Sequence, residues 1–456
     1  MINKENVTVM GGGLVGCLLS LYLAKKGYHV DVYERKPDLR KAYKEYGRSI
    51  NLALSDRGWK ALNGIGIGDD IRKVAIPMYG RMMHDIQGNL SFLPYGKGGQ
   101  AIYSVSRGGL NIALLDLVEA EPNVNLHFSQ QCQRVDLQTN KVYLKNSGTG
   151  EESIIKPDRL FGVDGAYSMV RYSMQKTERF DYSQSYLNYG YKELTIAAGP
   201  FGKWVLEKEA LHIWPRGNYM MIALPNLNGT FTCTLFFPYD GEESFSALKT
   251  EADVLAFFNK QFPDAVPLMP DLAKEYFANP VGDLVTIKCS PWAFSDKVLL
   301  LGDASHGIVP FYGQGMNAGF EDCTIFNELL EQHTGDWHTI FDTFQKLRKP
   351  NTDAMADLAI YNFIEMRDKV ADPRFLLQKK IESKINALYP EHWIPLYTMV
   401  TFSDIPYAEA KAAGERQEKI MAQLMPHIQT EADFDKPEVQ LMIKKYVLED
   451  SSDRSS

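Results

Sequence analysis

The segment "NVTVMGGGLVGCLLSLYLAKKGYHVDVYER", residues 6–35, constrains this chain more than any other. Val7 and Val9 alternate as in a strand, and a glycine cluster follows at once. Leu14, Leu18, Leu19 and Leu21 then repeat at helical spacing until Gly27, and "HVDVYER" supplies a second strand. Strand, glycine turn, helix and strand within about thirty residues make a βαβ unit, which forces a parallel pairing. Within the turn, Gly11, Gly13 and Gly16 fit G-x-G-x-x-G. Gly11 permits the tight exit from the strand, Gly13 lets the backbone approach a pyrophosphate, and Gly16 lets helix and strand pack closely. Glu34 ends the second strand, where an acid holds a ribose hydroxyl pair. The helix N-terminus offers its free N–H groups to phosphates. The motif in this context predicts a bound dinucleotide.

The rest of the 456-residue chain is too long for one core and predicts two or three domains. With 45% apolar and 23% charged residues it reads as globular, and a net charge of −8 argues against a nucleic-acid partner. Five scattered cysteines without a CxxC pair predict reduced thiols, no zinc site or other metal, and a cytoplasmic setting. The N-terminus shows no signal-peptide pattern, and no run of about 18 apolar residues predicts a membrane helix. The polar C-terminal "VLEDSSDRSS" is expected to fray.

Residues 185–240 read as antiparallel strands, 251–263 as a helix, and 316–449 as mostly helical. The expected fold is α/β: an FAD-binding Rossmann-like domain, an inserted antiparallel β-sheet substrate domain and a C-terminal helical region. The expected boundaries are 1–70, 100–180 and 288–345 for the first, 71–99 and 181–287 for the second, and 346–456 for a helical cap. FAD is preferred over NAD as the resident cofactor because two further glycine clusters need a long ligand. These are "GVDGAYSMVR", 162–171, and "GDASHGIVPFYGQGMN", 302–317.

The fingerprint, the Asp164-Gly165 pair and the "GDASH…P…GQGMN" segment together resemble the FAD-dependent aromatic hydroxylases, a family of flavoprotein monooxygenases. The resemblance spans most of residues 5–345. It implies that Asp303 meets the ribityl chain, that Gly313, Gln314, Gly315, Met316 and Asn317 pass along the isoalloxazine, and that Asp164 lies near ribityl and pyrophosphate. Arg107 in "SRGGLN" resembles the family's flavin-contacting arginine. His306 reads as part of the flavin loop rather than as a base.

Further blocks, among them "YGRMMHD", "ALHIWPRGNYMMIALPN" and "NFIEMRDKV", resemble one branch of that family, which hydroxylates an aromatic amino acid. That likeness implies that Arg81 and Tyr95 hold the substrate carboxylate, with Asn362 and Tyr397 as further polar contacts. Leu211, Ile222, Leu224, Phe236, Pro310 and Phe311 are implied as walls around the ring, with Glu365 and Met366 beside it. Tyr312 stands where a relative in that branch carries His. Without the resemblance, Arg81 reads as a surface arginine, and Leu224 and Phe236 as plain core. The implied reaction uses tightly bound, non-covalent FAD, transient NADPH and O2, and proceeds through a flavin hydroperoxide with no catalytic side chain. The implied partner is a small aromatic amino acid, with no nucleic acid and no membrane anchor; a homodimer stays open. Three other readings stay open at this point: a hydroxylase of another aromatic acid or phenol, a flavin reductase or oxidase, and a non-catalytic flavin-binding regulatory protein.

Overall fold

A computed structural model describes residues 5–41, 50–96, 99–366 and 372–449. The frayed tail expected beyond residue 449, and the end of the "NFIEMRDKV" block at 367–370, lie outside them.

The N-terminal unit forms as its pattern demands. Strand Asn6–Met10 pairs in parallel with His29–Tyr33, and the helix Leu14–Lys25 crosses between them. On its other side the first strand pairs in parallel with Arg159–Gly162, which pairs with Val298–Leu300. The buried strands Val7–Met10, Leu160–Gly162 and Val298–Leu300 each end in a glycine-bearing turn at the same sheet edge. All three glycine clusters are thereby drawn to one place, although the third lies nearly 300 residues along the chain. Parallel strands with helices on their faces bury both sides, hence the unbroken apolar runs.

A second, seven-stranded sheet has the order Gly282–Ser290, Asp181–Ile196, Phe231–Pro238, Met220–Pro225, Ala210–Pro215, Gly80–His84, Leu90–Pro94. It was expected to be antiparallel, but one pair departs. Ala210–Ile213 runs parallel to Gly80–Met83, with Leu211 level with Arg81 and His212 with Met82. The two strands come from separate excursions of the chain, so no hairpin dictates their direction.

This sheet divides two cores. Along it, side chains alternate between faces. Trp214, Met221, Cys233, Leu235 and Phe237 join a core closed by the helix Glu251–Gln261. Ile213, Met220 and Phe236 join a different core with Phe311, Tyr312 and the helices Trp337–Ile364 and Tyr407–Leu424. The last helices add their own cluster around Trp393, Leu424 and Ile443. No described helix is long and apolar enough to cross a membrane.

Candidate active site

At the first glycine turn the backbone approaches itself closely. Gly11 has φ +114°, and a Cβ there would lie 2.4 Å from the Val163 carbonyl oxygen. A Cβ on Gly16 would lie 1.9 Å from the Gly11 carbonyl oxygen. Gly13 is different: it is exposed, and a Cβ there would meet nothing within 4 Å. No side chain caps the helix that Gly13 opens, and its first turn holds no acid. That leaves N–H groups and the positive end of the helix dipole facing open space, as a pyrophosphate requires. Glu34 does part of its work inside the protein. Its Oε2 accepts from Gly12 N at 2.9 Å and its Oε1 from Lys36 N at 2.9 Å. Each oxygen keeps a second lone pair for a ribose.

Asp164 caps the helix Met169–Met174, its Oδ2 accepting from Met169 N at 2.7 Å. Its Oδ1 is buried with no partner, and burial pushes the carboxyl above its usual range. Asp303 is exposed and has no hydrogen-bond partner among the described residues. Arg107 is exposed at the start of the helix Arg107–Glu119.

In the third glycine segment, side chains and backbone divide the work. Gln314 and Asn317 are buried and committed internally. Asn317 accepts from Ser55 N at 2.9 Å and donates to Ala53 O and Gly313 O, both at 2.8 Å. Gln314 accepts from the Tyr407 hydroxyl at 2.9 Å. Met316 packs half-buried against the core of the first sheet. What this segment offers a ligand is therefore main chain: Gly313 is left-handed at φ +67°, and Gly315 opens the helix Gly315–Gln332 without a side-chain cap. An orphaned buried carboxylate oxygen, an uncapped helix start and a free exposed Asp around one sheet edge fit an FAD.

Beside this edge the second sheet presents Arg81. The guanidinium lies 4.5 Å from the Tyr397 ring centroid and 5.6 Å from that of Tyr95. Tyr95 and Tyr397 stack at 5.4 Å, and Tyr397 and Tyr312 at 5.6 Å. Arg81 Nε and the Tyr95 hydroxyl are sealed from solvent without hydrogen-bond partners, and Arg81 forms no ion pair with a described carboxylate. Burial pushes the Tyr95 and Tyr312 hydroxyls well above their ordinary range, so both stay neutral donors. An arginine with its Nε sealed from solvent keeps its charge, and without a counter-ion that arrangement is costly. Such an arrangement suits an anion.

Leu211, Ile222 and Leu224 adjoin this box in one apolar cluster with Tyr95 and Tyr397. Phe236, Phe311, Tyr312 and Met366 lie in the neighbouring cluster, which shares Leu211, Ile222 and Tyr397. Asn362 is buried, and its amide nitrogen donates to Phe311 O at 2.7 Å and to Met366 Sδ at 3.3 Å. It fixes the Pro310–Tyr312 turn to the long helix. Pro310 is exposed at the head of that turn. Glu365 is half-buried, 3.8 Å from Lys379.

Sequence reading named His306 in the flavin loop but missed the residues behind the turns that it meets. His306 donates to Asp322 at 2.6 Å, and the same carboxylate accepts from Gly302 N at 2.9 Å. Burial opposes the Asp322 charge, but His306 and Arg348 outweigh it and hold the carboxyl below its usual range. Arg348, Glu321, Arg57 and Tyr407 extend this network. Isolated charges on helical stretches carry no local signal that they will meet.

Residues 4–359 match the family model described as FAD binding domain. Kynurenine 3-monooxygenase of Flavobacterium johnsoniae is 51% identical over 440 residues, covering 96% of this chain and 98% of that protein. The enzymes of that name from Sus scrofa and Dictyostelium discoideum are 46% and 44% identical, covering 92% and 98% of this chain and 88% and 99% of theirs. The fold is also that of 2-methyl-3-hydroxypyridine-5-carboxylic acid oxygenase (TM-score 0.64, 20% identity, 81% and 94% covered). Pseudomonas aeruginosa PqsL in complex with 2-aminobenzoylacetate is similar as well (TM-score 0.63, 18% identity, 80% and 97% covered). The chain belongs to the FAD-binding flavoprotein monooxygenases and, within them, to the kynurenine 3-monooxygenase family.

Proposed function

We propose that this protein hydroxylates L-kynurenine at C3 of its ring, ortho to the amino group, giving 3-hydroxy-L-kynurenine in tryptophan degradation. NADPH and O2 are consumed; one oxygen atom enters the product and the other leaves as water. Bound FAD supplies the electron transfer from NADPH to O2 and an electrophilic oxygen atom.

The chain's own residues bind, orient and exclude water. Arg81 takes the substrate carboxylate through its planar fork, and the Tyr95 hydroxyl, buried without a partner, donates to the same group. Tyr397 closes the box from the helix Leu396–Thr401. Leu211, Ile222, Leu224 and Phe236 hold the ring by its faces, with Phe311 and Tyr312 on the turn that leads to Gly313. Distance and angle to the flavin are then set by the carboxylate at one end and the walls at the other. A dry pocket keeps activated oxygen for the ring rather than losing it as hydrogen peroxide. Main chain at Gly313 and Gly315 would meet the flavin, Asp303 and Asp164 its ribityl and phosphate portions, and Arg107 its exposed side. In this division of labour residues 1–70, 100–180 and 288–345 carry FAD, 71–99 and 181–287 the substrate, and 346–456 cover them. Five buried free thiols suit a cytoplasmic setting.

The observation that carries the reading is Arg81: a half-buried cation, its Nε sealed from solvent, boxed by tyrosines beside an apolar cluster, with no described acid to balance it. FAD-loaded protein given NADPH and L-kynurenine should yield a product heavier by one oxygen, with little hydrogen peroxide. NADPH loss that yields only peroxide would make kynurenine an effector and the substrate another aromatic. No stimulation would remove the kynurenine assignment.

A further inference from the structure

Arg57 lies outside the carboxylate box and outside the glycine turns, yet it bonds to the elements that carry both. It is 1% exposed, on the helix Asp56–Gly64. Its Nη1 donates to Glu321 on the helix that begins at Gly315. Its Nη2 donates to Ile405 O and reaches Met399 O at 3.5 Å, while Nε donates to Val400 O at 3.3 Å. Those carbonyls close and follow the helix Leu396–Thr401, which carries Tyr397. The guanidinium also lies 4.0 Å from the centroid of the Tyr407 ring, whose hydroxyl bonds to Gln314 in the glycine turn.

The second oxygen of Glu321 takes Arg348 Nη1 at 2.5 Å, and Arg348 Nε donates to Asp322 at 2.8 Å. Asp322 in turn holds Gly302 and His306. A continuous buried network thus joins the segment around Asp303 to the end of the Tyr397 helix. Burying this much charge is costly compared with an apolar core of the same shape. A planar fork, however, fixes directions that apolar packing leaves soft. Helix-end carbonyls also favour a cation.

We infer that Arg57 is a positioning residue that fixes the Tyr397 side of the substrate clamp relative to the glycine turn of the flavin site. The inference rests on the proposed function. A shift of the Tyr397 helix displaces the clamp, the ring leaves its line to the flavin, and reducing equivalents escape as hydrogen peroxide.

Arg57→Lys keeps a charge for Glu321 and loses the fork to the carbonyls. Its KM for kynurenine should rise about tenfold, with a larger fraction of NADPH electrons appearing as peroxide. Kynuramine, which lacks the carboxylate, gives the clamp nothing to misplace. Its KM should change less than twofold between the two enzymes. General loosening of the protein would raise both KM values alike, and that outcome overturns the inference. So does a folded variant with wild-type KM and coupling. If Arg57→Lys fails to fold, Tyr407→Phe decides: it keeps the ring and removes the bond to Gln314, and wild-type coupling in that variant overturns the inference. If the wild type ignores kynurenine, the substrate assignment falls separately. The same comparison is then made with the aromatic acid it hydroxylates and the decarboxylated form of that acid.

Discussion

A methyl group on Gly16 would sit 1.9 Å from the Gly11 carbonyl oxygen, whereas one on Gly13 would meet nothing. The two glycines therefore fail differently. Gly16→Ala must push the helix off its strand, and folded protein should be lost. Gly13 has φ −77° and ψ −172°, which alanine adopts freely. Gly13→Ala should keep the stability of the FAD-free protein within ~0.5 kcal/mol. It should weaken FAD binding about tenfold, the value of roughly one phosphate hydrogen bond. Thermal melts of stripped protein and flavin titration separate the two; equal damage to folding in both variants would contradict the assignment. At the same scale, Arg81→Met should raise KM for kynurenine about 100-fold, two to three kcal/mol of charge-assisted bonding, with FAD binding unchanged. The glycine positions were legible because a backbone constraint is written locally. Arg81 was not: alone in its strand it resembles any surface arginine, and only the family pattern raised it.

At the scale of elements, the parallel pairing of Gly80–Met83 with Ala210–Ile213 does two jobs on two faces. Arg81 and Leu211 face the pocket side, and His84 and His212 the opposite core. Behind the sheet, His212 Nε2 is 2.8 Å from Glu207 O, so that nitrogen carries the proton. His212 Nδ1 then accepts from His84 Nε2 at 2.8 Å. His84 Nδ1 meets Asp264 at 2.7 Å, so this last link needs a proton of its own, and Trp214 Nε1 adds a bond to Asp264 at 3.0 Å. Arg216 closes the cluster by donating to His84 O at 3.0 Å. Burial pushes His212 down to about 4. Below pH 6.5 the unfolded chain binds a proton there that the native chain refuses. Stability therefore falls as pH drops from about 6.5 to about 4, by up to ~3 kcal/mol. Burial raises Asp264, but bonds from His84 and Trp214 outweigh it and its carboxyl lies low. Its stabilisation, present above about pH 4, is lost as pH falls further. Denaturant melts at pH 7.5 and 5 should show the first loss, and His212→Gln should flatten it; an unchanged slope would refute the assignment. None of this was readable beforehand, because the strands are about 130 residues apart and their direction follows from no turn.

At the scale of the molecule, the sequence foretold helices after residue 316 but not that they serve three separate cores. Periodicity shows that a helix has an apolar face, and says nothing about which face it meets. Tyr407 and Ala410 are fully buried in the same core as Phe311, Tyr312 and Met355, so the helix Tyr407–Leu424 is a wall of the site. Val439, Ile443 and Val447 of the helix Pro437–Glu449 pack in the cluster of Ile381, Trp393, Leu424 and Phe434. The two segments should therefore respond differently to removal. A chain ending after Ile405 exposes the core that holds the Phe311 turn, and should yield no folded enzyme. A chain ending after Lys436 loses three aliphatic side chains from a satellite cluster, about 5 kcal/mol of burial. It should retain FAD and hydroxylation while residues 373–434 become far more open to protease. Hydroxylation of kynurenine, flavin content and limited proteolysis on both truncations test this. If the shorter chain hydroxylates as well as the longer, Tyr407 and its helix do not build the site, and the coupling assigned to Arg57 loses its anchor.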